Sequence, residues 1–226
     1  MILEKLHDNV FYYKNVIRDP RLLVSKIEET ENIKSIHNVF LPWNEWSACS
    51  GQMYVYGEKK DLMVDELDKL SGDDLDIAKD IINEIRNGFT KVCQDWKLQK
   101  NISDDINLSP YIGINKYKEG TFMGTHFDQQ EGDSRLKYSL VMYLNDNYEG
   151  GEVSFSIKEG VLTSTDDAAK GDIEDDHNKD VVSFFIKPEA GSCIIFPSSP
   201  PYSHTAHLVK SGWKYMIPGF WMEKGM

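Results

Sequence analysis

Apolar residues along this chain follow two different periods. Between Ser71 and Lys100 they recur every three to four positions, and Leu75, Ala78, Ile81, Ile82, Ile85, Phe89, Val92, Cys93 and Trp96 fall on one stripe. That is the signature of a helix with one buried face. Ser71 or Asp73 supplies the capping side chain at its start. A shorter helix is expected over 19–30, where Asp19 and Pro20 form a cap and a first-turn proline. The run "NVFYYKNVI" at 9–17 reads as a strand. The first hundred residues therefore mix helix and strand.

From Asn107 onward the pattern shortens. "SPYIGINKY", "RLKYSLVMYLN", "GEVSFSI", "VVSFFIK", "GSCIIFP", "HTAHLV" and "WKYMIPGFW" are brief β-rich runs, with Gly, Pro, Asn and Asp between them. Many short strands at close spacing predict a sandwich, barrel or jelly roll. The stretch 163–180 breaks the rhythm, with seven acids against two lysines. It is too long for a hairpin turn and reads as a solvated insertion or a functional lid.

Composition narrows the picture. The 226 residues are 40% hydrophobic and 12% aromatic, enough to bury a core. A net charge of -12 disfavours nucleic acid and anionic membrane surfaces as partners. Cys49, Cys93 and Cys193 lie far apart with no CxxC, which argues against a disulfide framework or a cysteine zinc site. No apolar run is long enough to span a membrane, and the N-terminus lacks the apolar stretch of a signal peptide. A cytoplasmic protein is expected.

The chemistry starts at "GTHFDQQ", where His126 and Asp128 stand two apart. On an extended strand such residues face the same side. With a further histidine they would give two imidazoles and one carboxylate, a donor set that leaves positions open and suits Fe(II) and O2. His204 and His207 in "PPYSHTAHLV" are the candidates. Lys214 sits in an otherwise apolar terminal strand. It is either a lysine that snorkels to solvent or a buried cation awaiting an anion.

In chain order, "INKYKEGTFMGTHFD", "LVMYLND", "EGGEVSF", "AGSCIIFPS" and "SHTAHLVKSGWKYMI" resemble the Fe(II)- and 2-oxoglutarate-dependent dioxygenases, in their prolyl 4-hydroxylase-like branch. The similarity covers roughly residues 110–222. It implies a mainly β fold with flanking helices and a double-stranded β-helix (jelly roll) core. One catalytic domain would span 1–226, with helix-rich N-terminal support over 1–106 and the catalytic core over 107–222. Carried over by position, His126, Asp128 and His204 become the iron ligands and catalytic centre, because Gly212 and Lys214 follow His204 at the family's spacing. Lys214 becomes the residue that binds the distal carboxylate of 2-oxoglutarate, where many relatives use arginine. Tyr117 and Tyr143 match positions that assist it, although tyrosines are also common in strand cores.

The implied cofactors are Fe(II) and the cosubstrate 2-oxoglutarate, with ascorbate as an auxiliary reductant. The implied reaction hydroxylates an unactivated C–H, first of all that of a peptidyl proline, and releases succinate and CO2. The alternatives are the same chemistry on a free amino acid or other small molecule, and a non-catalytic jelly-roll binding module. Loops at 42–60 and 158–180 are expected to frame the mouth of the site. No motif speaks to oligomeric state.

Overall fold

A computed structural model describes residues 1–50, 53–102, 106–129, 135–157 and 183–223. The chain opens with a hairpin of β1 (Ile2–His7) and β2 (Val10–Lys14), followed by α1 (Pro20–Glu29). Asp19 caps α1 by accepting a hydrogen bond from the Leu22 N–H at 3.0 Å. Pro20 sits where the helix has no use for a backbone donor. A second hairpin pairs β3 (Asn44–Ser50) with β4 (Met53–Leu62). The long helix is α2 (Gly72–Lys100). Ser71 precedes it without a side-chain capping bond, and Asn101 ends it in the left-handed conformation, φ 51°.

The remaining elements are β5 (Ile106–Leu108), β6 (Ile112–Tyr117), β7 (Met123–His126), β8 (Leu136–Tyr143), β9 (Glu149–Gly150), β10 (Val153–Ser156), β11 (Phe184–Ile186), β12 (Ser192–Pro197), β13 (Ser203–Ala206), β14 (Val209–Ser211) and β15 (Lys214–Glu223). Most of the stretch expected as a mouth loop at 42–60 is the β3–β4 hairpin. Its backbone is tied into the sheet through β4, which pairs with β6. The acidic stretch 163–180 lies outside the described residues.

Among the described residues the strands form two main antiparallel sheets. The larger runs β1-β2-β12-β8-β15-β6-β4-β3, with β5 also on β15, and the smaller runs β11-β10-β13-β7. This is the expected jelly roll, with helices on one flank. The N-terminal hairpins lengthen the large sheet at both ends, so the first hundred residues contribute four of its strands as well as the helical layer.

Period-two alternation divides the large sheet's two faces. On β15, Lys214 and Met216 point toward the small sheet, while Ile217 and Trp221 join the core beneath the helices. On β8, Val141 and Tyr143 face inward and Leu140 and Met142 join the helix-side core; on β12, Ile194 and Phe196 oppose Cys193 and Ile195 in the same way. The helix-side core includes Ile81, Ile85, Phe89, Val92 and Trp96 of α2, every one at most 2% exposed. Fully burying each such side chain is worth about 1.5–3 kcal/mol. The helix lies close on the sheet because two glycines permit it. A Cβ on Gly219 would meet the Phe89 ring at 2.9 Å, and one on Gly88 would meet Met142 at 2.7 Å. The inward core lies between the two sheets and includes Tyr117, Tyr143, Phe155 and Phe196.

Candidate metal centre and adjoining cavity

Strand pairing assembles the polar cluster. β7 and β13 are antiparallel neighbours, and His126 stands directly opposite His204. The Thr125 and Thr205 hydroxyls share a 2.7 Å hydrogen bond across the same pair of strands, which helps fix that register. Asp128 follows two residues beyond His126, just past the strand end. Donor atoms of His126, Asp128 and His204 all lie within 4.8 Å of one another. Nε2 of His126 is 3.6 Å from one Asp128 oxygen, and Nε2 of His204 is 3.7 Å from the other. These separations exceed a hydrogen bond and leave space for one ion among the three donors.

The surroundings prepare the donors for a cation. Nδ1 of His126 lies 2.7 Å from the Gly124 carbonyl. Donation from Nδ1–H to that oxygen leaves Nε2 with its lone pair toward Asp128. Burial works against the charged form of His126, but the Asp128 carboxylate and the Gly124 carbonyl raise its pKa overall. His204 is walled by Phe196, edge-on at 4.6 Å, and by Phe155, stacked at 5.8 Å. Burial first and the neighbouring His126 second push its pKa down to about 4, so the ring is neutral near pH 7. Its Nδ1 is buried and makes no hydrogen bond. Burial would raise the pKa of Asp128, yet His204 and His126 outweigh it and hold the carboxyl well below the usual range. Two neutral-capable imidazoles and one ionised carboxylate form a donor set that fits a divalent iron. His207 takes no part. It is 3% exposed, and its Nε2 lies 2.7 Å from the Ser154 hydroxyl.

The cluster opens on a cavity of about 400 Å³ between the sheets. Tyr117, Tyr143 and Met216 line it near the end of β15 where Lys214 sits, and Phe127, Leu140, Pro218 and Phe220 line it elsewhere. Lys214 is paired in register with Tyr117 and is 0% exposed. Its ammonium donates to the Gly151 carbonyl at 2.6 Å and lies 5.2 Å from the centre of the Tyr143 ring. No carboxylate bridges it among the described residues. Burial, aided by the like charge of Lys187, pushes its pKa down to about 7. Of the two sequence readings, the structure selects the buried cation over the snorkelling one. The Tyr117 hydroxyl is buried and makes no hydrogen bond.

Asn115 escaped the sequence reading. It is 4% exposed, lines the cavity, and its Oδ1 has no hydrogen-bond partner. The signal was present, since Asn115 and Tyr117 alternate onto one face of β6.

Residues 112–222 match the family model described as the 2OG-Fe(II) oxygenase superfamily. No curated protein matches the chain in sequence. Solved structures share the fold at low identity. A Pseudomonas putida prolyl-4-hydroxylase is 13% identical with a TM-score of 0.55, over 96% of this chain and 94% of that one. A viral collagen prolyl hydroxylase from Paramecium bursaria Chlorella virus-1 is 17% identical with a TM-score of 0.55, over 96% and 97%. A Trichoplax adhaerens prolyl hydroxylase, solved with a peptide fragment of the hypoxia inducible factor oxygen degradation domain, is 11% identical with a TM-score of 0.59, over 96% and 84%.

Proposed function

Through residues 112–222 this chain belongs to the 2OG-Fe(II) oxygenase superfamily, and from that membership we propose that it hydroxylates a prolyl residue of a peptide, with 2-oxoglutarate as cosubstrate. The observation that carries the reading is the convergence of His126, Asp128 and His204 on one cavity, beside whose Tyr117 and Tyr143 wall a fully buried Lys214 has no carboxylate partner among the described residues.

His126, Asp128 and His204 would hold Fe(II). Bound there, the iron supplies O2 activation coupled to decarboxylation of 2-oxoglutarate to succinate and CO2. The chain's own side chains prepare the site. The Gly124 carbonyl orients His126, burial keeps His204 neutral, and the two histidines keep Asp128 ionised. Lys214, with the Tyr143 ring 5.2 Å away and Tyr117 opposite it in register, would receive the distal carboxylate. A lysine offers a point charge where arginine would offer a fork, so neighbouring hydroxyls have more to contribute. Phe127, Pro218 and Phe220 exclude water and offer an apolar seat that suits a pyrrolidine ring. The net charge of -12 favours a neutral or basic peptide. The Trichoplax prolyl hydroxylase that shares this fold was solved in complex with a peptide fragment, which supports the choice of a peptide.

The test is incubation with Fe(II), 2-oxoglutarate, ascorbate and a panel of proline-containing peptides, read by mass spectrometry for the gain of one oxygen. A modified proline that disappears with Asp128→Ala is the expected result. Turnover of 2-oxoglutarate without any peptide product would assign the chemistry to a small molecule. No succinate under any condition would reject the oxygenase reading.

A further inference from the structure

The glycine turn behind Lys214 is held by a second lysine. Gly150 and Gly151 both have positive φ, 67° and 65°, which turns their carbonyls out of the strand direction. The Gly151 carbonyl takes the Lys214 ammonium. The ammonium of Lys187, just past β11, donates to the Gly150 carbonyl and, at 3.3 Å, to that of Tyr148. It also lies 4.0 Å from the centre of the Tyr148 ring and 3.8 Å from Glu152. The opposite side of this knot is closed, because a Cβ on Gly151 would meet the Tyr148 ring at 2.8 Å and Lys214 at 3.3 Å. Two cations thus grip consecutive carbonyls of one turn and share Tyr148, which is 5.8 Å from Lys214.

We propose that Lys187, which is neither a triad residue nor part of the cavity wall, is a positioning residue for the cosubstrate: it clamps the Gly150–Gly151 turn and thereby fixes where Lys214 presents its charge. The inference rests on the reading of Lys214 as the carboxylate-binding residue. Lys187 also acts through space. Its charge disfavours the protonated form of Lys214, and Glu152 favours it. The other ionisable groups around Lys214 are the phenols of Tyr117, Tyr143 and Tyr148, high in pKa through burial, and His207, low through burial. None of these four titrates near pH 7, which leaves Lys187 and Glu152 as the charges that set Lys214. Only protonated Lys214 binds a carboxylate, so affinity should fall as pH rises past the pKa of the free site.

The experiment is calorimetric titration of 2-oxoglutarate into Mn(II)-loaded protein from about pH 6 to about pH 9. Lys187 is 38% exposed at its side chain, so its variants should fold, and melting temperatures check this. Below the midpoint of the pH profile, Lys187→Met is expected to weaken binding about threefold to tenfold and to move the midpoint up. Glu152→Gln should move it down, and Lys187→Arg should keep it in place. Opposite shifts in the two charge variants support the assignment. An unchanged Lys187→Met overturns it, and so does weaker binding with an unmoved midpoint, since mere loosening would give that. Lys214→Met separates the two layers of argument. If binding survives Lys214→Met, the carboxylate role of Lys214 fails; if that variant loses binding and Lys187→Met behaves as wild type, only the present inference fails.

Discussion

At the residue scale, the site is a set of charges arranged before any ligand arrives. Lys214 illustrates the cost. In the unfolded chain its pKa is about 10.4, and in the folded protein burial brings it to about 7. Between these values the unfolded chain binds a proton that the folded one does not, so this residue makes stability rise with pH across that window. Below pH 7 the folded protein carries a buried cation with no carboxylate in contact among the described residues. Lys214→Met should therefore raise the melting temperature at pH 6 while removing 2-oxoglutarate binding, and a lowered melting temperature would show the ammonium to be a structural anchor. The two histidines near residue 205 make a second test. His204→Ala should reduce uncoupled succinate formation at least about a hundredfold. His207→Ala, which removes the bond to Ser154 and a buried ring outside the triad, should lower the melting temperature yet leave most of that activity. The opposite order would move the third ligand to His207. What the sequence could show here was the His–x–Asp spacing, which follows from strand geometry. The choice between His204 and His207 needed the family's spacing to Lys214, because both lie in one β-rich run and only the register with β7 separates them. Asn115 shares the alternation of Tyr117 on β6, but that alternation alone does not mark a lone carboxamide as a site residue; its unsatisfied oxygen at a cavity does.

Elements were legible where a period ran long. The stripe from Leu75 to Trp96 spans most of α2, and each short run after Asn107 holds a strand, except that "HTAHLV" is divided between β13 and β14. The β3–β4 hairpin was missed. Its strands lie at one end of the large sheet, and "NEWSACS" and "MYVYGEKKDL" carry no clean alternation on either side of the Ser50–Gly51 turn signal. Packing between elements was not legible either, since it depends on glycines meeting side chains remote in sequence. Gly219→Ala tests one such contact. The added methyl would press on Phe89, a residue with little room to retreat beneath α2. Overpacking of this kind costs about 1–3 kcal/mol, or a fall in melting temperature of about 2–4 °C per kcal/mol for a chain of this length. An unchanged melting temperature would mean that the helix rides farther from the sheet than described.

For the molecule as a whole, strand density pointed to a sandwich, barrel or jelly roll, and the resemblance to the dioxygenase family selected the jelly roll, whereas the order of strands in the large sheet was not legible. β2 lies beside β12 and β15 beside β8, pairings that join segments far apart in the chain and leave no local mark. No helix among the described residues is long and apolar enough to cross a membrane.

The three clustered donors His126, Asp128 and His204 all come from the smaller sheet or its margin, whereas Lys214, Tyr117 and Tyr143 belong to the larger one. A keto acid chelated at one end and gripped at the other would act as a strut between two leaves whose facing interior is mostly apolar. Fe(II) or 2-oxoglutarate given singly can brace only its own leaf. Supplied together, without O2, they should delay thermal unfolding by more than the sum of their separate effects, and simple additivity would mean that the leaves do not share a load.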